Sequence, residues 1–160
     1  MAILSYLILV KMGQSLSQIY IHLVFGTKFR KPHIKKELKE GLHSYIGGIL
    51  NNMGCHPIKI NSVPDHIHIL FKLSKNLALA KAVESVKKDS SRWMKQNGVP
   101  DFKWQIGYGA FSVSNYKVEV VKNYIINQEK HHKIQDFEKE MEELFNSYNV
   151  EEYQKEYFWR

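Results

Sequence analysis

Two short patterns in this 160-residue chain carry residue types that do chemistry. The first is His66-Ile67-His68. In an extended strand, residues two apart point to one face. Their Cα atoms stand ~6.5–7 Å apart, so both imidazoles can reach a single metal ion. Ile67 then points the other way, into a core with Ile69 and Phe71. The second pattern is Tyr124-Ile-Ile-Asn-Gln128. On a helix these two ends share a face. A free phenol has a pKa of ~10, and a tyrosine becomes a nucleophile when its phenolate is favoured. An adjacent cation does that. Taken singly, each pattern is also what an amphipathic strand or a packed helix would carry.

Together the two fit one reaction. A metal polarises a phosphodiester and neutralises charge at phosphorus, and the tyrosine attacks in line. The products are a 5′-phosphotyrosine and a free 3′-hydroxyl. The covalent bond keeps the phosphoester energy, so another 3′-hydroxyl can reverse the step elsewhere without ATP.

The flanking sequence predicts the elements that position these groups. Residues 18–25 alternate, with Ile19, Ile21, Leu23 and Phe25 on one face and Tyr20, His22 and Val24 on the other, which is a strand. Pro32 opens a helical run over 33–53, ended by Gly54. Residues 55–63 and 66–73 read as strands around a Pro64-Asp65 turn. A helix follows over 78–96, closed by Asn97-Gly98. Residues 102–113 read as a strand or a bent pair. Ser114 is placed to cap a helix running to about 131, with Tyr124 and Gln128 on its flank in line with His131 and His132. A last amphipathic helix covers 135–148. The order is that of an α+β, ferredoxin-like or RRM-like split βαβ fold. Its antiparallel sheet carries helices on one face, plus an added nucleophile-bearing helix and a C-terminal helix. Fold alone does not decide function.

Composition narrows the class. Hydrophobic residues are 44% and charged residues 24%, which excludes wholesale disorder. One cysteine, Cys55, excludes an internal disulfide and a four-cysteine zinc site. Net charge is +7, but residues 134–160 hold eight acids against three bases. The first 133 residues therefore carry +12, a candidate polyanion surface. The acidic tail is expected to pack on a partner helix or subunit, or to keep the tail soluble. The apolar start over residues 1–11 is too short to span a bilayer, which needs ~20 residues. It reads as an extension, a mis-assigned start ahead of Met12, or a short extra strand. The expected division is an extension over 1–13, one domain over 14–148 and a tail over 149–160.

Pro64-Asp65-His66-Ile67-His68-Ile69-Leu70, followed by Tyr124-x-x-x-Gln128-Glu-x-His131, resembles the single-tyrosine transposases of the HUH superfamily, including the REP-associated tyrosine transposases. The opening Tyr20-Ile-His22-Leu-Val-Phe25-x-Thr27-Lys28 resembles the family's first strand. The stretch from Trp104 through Gly107, Tyr108 and Phe111 to Ser114 resembles its segment before the nucleophile helix. The resemblance covers residues 14–148, in family order and spacing; the N-terminal extension lies outside it. It implies mobilisation of small insertion sequences through single-stranded DNA with hairpin ends. It implies Tyr124 as nucleophile, and His66, His68 and Gln128 as ligands of Mg²⁺ or Mn²⁺. It further implies a homodimer in which each tyrosine completes the partner's site, working in the prokaryotic cytoplasm at the nucleoid, with no membrane. Two imidazoles are a soft set for Mg²⁺, and Mn²⁺, Zn²⁺ or Ni²⁺ would also suit them.

Asp65 is placed either to orient a histidine or as a turn residue. His131 stands near the site or serves the helix C-terminus. His22, His33, His43 and His56 read as structural or surface residues. Lys28, Arg30, Lys31, Lys35 and Lys36 cluster after the first strand. Lys81, Lys88, Arg92 and Lys95 form a stripe on the second helix. Both sets suit phosphate contacts or plain solvation. Tyr108 and Phe111 are placed to stack on bases, while Trp104 suits the core. Two other classes compete with the transposase: a nucleic-acid-binding relative without chemistry, and a metal-dependent hydrolase in which water attacks.

Overall fold

The computed structural model describes residues 14–132 and 136–158, with the side chains of 131, 132 and 157 left aside. The extension over 1–13, and any strand in it, lies outside the described residues. Four strands form one antiparallel sheet: β1 (Tyr20–Gly26), β2 (His56–Val63), β3 (His66–Lys72) and β4 (Gly109–Val113), in the order β2-β3-β1-β4. The helices are α1 (Lys36–Asn52), α2 (Leu79–Gln96), α3 (Val118–Ile126), α4 (Gln128–His132), α5 (Phe137–Ser147) and α6 (Lys155–Phe158).

Strand alternation decides the two faces of the sheet. Ile21, Leu23 and Phe25 of β1 and Ile67, Ile69 and Phe71 of β3 turn to one side. They pack against Leu42, Ile46 and Leu50 of α1 and Val83, Val86 and Met94 of α2. Each such fully buried side chain contributes about 1.5–3 kcal/mol. This is the expected split βαβ core. Trp104 joins it, edge-on to Phe25 at 4.7 Å, as its sequence suggested.

The opposite face is covered as well, which is why β1 and β3 are buried along both edges of their alternation. Val24 and Phe111 pack under Phe137, Met141 and Phe145 of α5. Leu70 and Val113 pack under Ile125, Val118 and Val121 of α3. Within the acidic C-terminal segment, α5 thus lies on the chain's own sheet, because Phe137, Met141 and Phe145 give it an apolar stripe of helical spacing.

Three local expectations change. Only Gly109–Val113 of the 102–113 stretch is strand; the earlier part contributes one bridge, Thr27 to Trp104. Ser114 makes no side-chain cap, and a short 3₁₀ turn over Asn115–Lys117 precedes α3. The helix expected to run to 131 breaks at Asn127, where φ/ψ is −90°/12°. The Asn127 amide donates back to the Asn123 carbonyl at 2.8 Å, a local bond that competes with helix continuation.

Candidate metal and nucleophile site

The site lies between α3 and α5 on the second sheet face. Register places it there: Val24 of β1 stands opposite His68, and Gly26 opposite His66. His66 and His68 are both fully buried on this face, with Ile67 in the core behind them, as the strand pattern requires.

Each imidazole is oriented through its Nδ1. His66 Nδ1 lies 2.8 Å from Asp65 Oδ1, and the His66 ring stacks on Phe137 with centroids 3.9 Å apart. His68 Nδ1 lies 2.9 Å from His22 Nε2. Burial first, then the neighbouring His68, lowers the His22 pKa, which favours a neutral ring that can accept a hydrogen bond from His68 Nδ1. Ligating histidines are held by such partners in metal sites. Asp65 thus stands between His66 and Arg30, ion-paired to the latter at 3.3 Å.

Both Nε2 atoms then face one carboxylate, that of Glu140 on α5. His66 Nε2 is 3.4 Å from Oε2 and His68 Nε2 is 3.5 Å from Oε1. One donor atom from each of His66, His68 and Glu140 lies within 4.8 Å of the others, and all three residues are buried. Two imidazoles and a carboxylate converging on one point fit a divalent transition ion. Burial raises the Glu140 pKa, but the hydrogen bonds and charge of His66 and His68 outweigh it and hold the group ionised. His66 is shifted up: burial lowers it, and Asp65 and Glu140 more than offset that.

Tyr124 enters from α3. Its hydroxyl donates to Glu140 Oε1 at 2.6 Å, and its ring meets His68 and His22 edge-on at 5.7 and 6.1 Å. Burial, then the Glu140 charge, pushes its pKa up. Gln128, at the start of α4, is fully buried. Neither of its amide atoms finds a well-formed hydrogen bond among the described residues, although the amide favours the charged form of Tyr124. The side chain of His131 lies outside the described residues.

Glu140 and His22 are the members that motif reading missed. Glu140 had a signal: it is an acid on the apolar stripe of α5, between Phe137 and Met141. His22 had only a weak one, its shared face with Tyr20 and Val24. Phe111, considered for base stacking, is instead buried against Tyr148, stacked at 4.3 Å. The basic groups divide between the two sides of the sheet. Arg30 reaches Asp65 beside the site, and Lys28, Lys31 and Lys35 share its loop. Lys88, Arg92 and Lys95 are exposed on α2, on the side away from the site.

α5 closes tightly over the end of β1. A Cβ added at Gly26 would stand 2.8 Å from Gln105 Oε1 and 2.9 Å from a Phe137 ring carbon. Gly26→Ala is expected to lower stability by about 1–3 kcal/mol, as overpacking does, and to weaken divalent-ion binding with it. A urea titration and a Mn²⁺ titration of the same variant check this.

Among the described residues no helix is long and apolar enough to cross a membrane. A curated relative, the ISDra2 transposase TnpA of Deinococcus radiodurans, is 26% identical over 119 residues, covering 69% of this chain and 84% of its own. A 1.90 Å crystal structure from D. radiodurans, described provisionally as a transposase, superposes with a TM-score of 0.60 at 24% identity. It covers 74% of this chain and 97% of that one. A REP-associated tyrosine transposase bound to a REP hairpin superposes at 0.56 with 14% identity, over 76% and 74% of the two chains. These superpositions establish the fold. The model of IS200-like transposases matches residues 15–128, spanning the first strand, the histidine pair, Tyr124 and Gln128, and the chain belongs to that family.

Proposed function

We propose that this protein cuts and rejoins single-stranded DNA at the hairpin-bearing ends of an insertion sequence, with Tyr124 as nucleophile and His66 and His68 as metal ligands. The observation that carries the reading is the Tyr124 hydroxyl, 2.6 Å from a carboxylate that both histidines face. Glu140 completes the ligand set, and the buried amide of Gln128 is at hand as a further donor.

A divalent cation there, Mn²⁺ or Mg²⁺, would polarise the scissile phosphodiester and offset the Glu140 charge that disfavours the phenolate. The chain's own residues do the rest. The Tyr124 oxygen attacks phosphorus, the bond to the 3′-oxygen breaks, and a 5′-phosphotyrosine and a 3′-hydroxyl result. Glu140 is within reach of the tyrosine proton. Asp65 and His22 hold the imidazoles in the tautomers that leave Nε2 turned inward.

The resemblance implied a tyrosine acting on the partner's site in a homodimer. Tyr124 stands against the histidines of its own chain, which supports action in cis in this arrangement. The place of work is the prokaryotic cytoplasm, where the DNA is.

The test is incubation with 3′-end-labelled single-stranded DNA from the flanks of the gene, followed by a denaturing protein gel. A labelled protein band with Mn²⁺ and none with EDTA is expected. Cleaved DNA with no label on protein would establish the hydrolase instead. Binding without cleavage would establish a relative without chemistry.

A further inference from the structure

Just after β1 the backbone does something unusual. Phe29 and Arg30 are consecutive non-glycine residues with φ of 57° and 54°. L-residues rarely adopt this region, and such conformations cost free energy and persist where surrounding structure imposes them. The imposition is visible. Thr27 N donates to Asp65 O, and Lys28 N to Lys103 O, both at 2.8 Å. The Thr27 hydroxyl donates to Lys31 O at 2.7 Å.

What the strained turn holds is an aromatic ring in water. Phe29 is 72% exposed, so burial does not explain its presence. The ring has the Lys28 ammonium 5.2 Å from its centroid. It borders an open cavity of about 390 Å³ lined also by Lys31, His33, Lys103 and Asp101. Asp101 pairs with Lys31 at 3.7 Å, which leaves the rim positive. The turn also leads directly to the site: Arg30 bonds Asp65, and Asp65 bonds His66.

We propose that Phe29 is a stacking platform for one unpaired base of single-stranded DNA, with Lys28 and Lys103 taking the adjoining phosphates. Every base has a π-face, so an exposed ring beside cations recognises single strands without reading sequence. In duplex DNA the bases are stacked on each other and cannot use the ring. The assignment rests on the strand-cutting reading above and adds to it a subsite for the strand next to the reacting phosphate.

The test is fluorescence anisotropy with a fluorescein-labelled 20-mer of mixed sequence, single-stranded or annealed to its complement. Phe29→Ala is expected to weaken single-strand binding about 5- to 150-fold, the range for loss of one stacked base, and to leave duplex binding unchanged. Phe29→Trp keeps binding. Phe29→Gly weakens binding while raising the melting temperature, because glycine relieves the positive φ; a packing role would lower both. Lys103→Ala lowers the salt slope by ~0.7, one phosphate contact on a single strand. Equal single-strand binding by wild type and Phe29→Ala, or equal loss on both probes, overturns the platform alone. A wild-type protein that binds neither probe also overturns the platform; the strand-cutting reading falls with it only if the labelled protein band is absent with DNA from the gene's flanks as well.

Discussion

Tyr124→Phe is expected to abolish the proposed covalent protein–DNA adduct and to lower single-strand cleavage by about 10⁴-fold or more, the scale on which enzymes lose activity without their nucleophile. Binding is expected to survive. The ring keeps its place against His68 and His22, and only the hydroxyl that donates to Glu140 is lost. The folded protein is expected to be little changed in stability. The deletion leaves a carboxylate still faced by His66 and His68. The measurement is the labelled-band assay run beside anisotropy with the same oligonucleotide. Cleavage persisting within about tenfold of wild type would sink the nucleophile assignment and favour attack by water. Mixing the Tyr124→Phe protein with a His66→Ala protein separates cis from trans action. Each variant lacks one half of the constellation. If a chain uses its own tyrosine, as the position of Tyr124 here indicates, the mixture stays inactive. Recovery of the adduct band would show that tyrosine and histidines come from different chains.

The second large effect is on metal binding. Glu140→Ala, like His68→Ala, is expected to lower Mn²⁺ affinity by more than about 100-fold, because it removes a ligand. His22→Ala and Asp65→Ala are expected to fall within about 10- to 100-fold, the scale for groups that orient a ligand. Isothermal titration with Mn²⁺ gives this ranking directly. Gln128→Ala is the informative companion. If it removes binding while Glu140→Ala does not, the carboxylate only holds the tyrosine and the family's glutamine is the third ligand. Circular dichroism must accompany each variant. Removing Glu140 leaves two buried imidazoles without the anion that faces them, and breaking one side of a buried charge network costs about 3–5 kcal/mol. Glu140→Gln keeps the side chain's size and the tyrosine's acceptor. It is expected to fold as wild type does and still lose most Mn²⁺ affinity.

Much of this arrangement was legible before any coordinates. Alternation in β3 put His66 and His68 on one face and Ile67 in the core, since a strand's period is a local property of the chain. Alternation in β1 likewise separated Ile21, Leu23 and Phe25 from His22 and Val24. The motif order from His66 through Tyr124 to Gln128 pointed to the transposase family, which the match over residues 15–128 establishes.

Local period could not say which faces meet. His22 became His68's partner only through the antiparallel register of β1 on β3, across a separation of 46 residues. Glu140 belongs to a helix whose apolar stripe announced burial but not the surface it would cover. Packing of Phe137 on His66 carries the carboxylate to the histidines and to Tyr124. The break at Asn127 placed Tyr124 and Gln128 on separate helices, because a side-chain bond to the backbone competed with an otherwise helical pattern. Phe29 carries no periodic signal, and its positive φ depends on contacts of its turn with Asp65 and Lys103 and on the Thr27–Lys31 bond. Segment order and periodicity along the chain carried the fold class and put His66 and His68 on one strand face, and the resemblance pointed to Tyr124. The Glu140 carboxylate and the exposed Phe29 ring came from the tertiary fold, because both depend on contacts between segments that no local pattern relates.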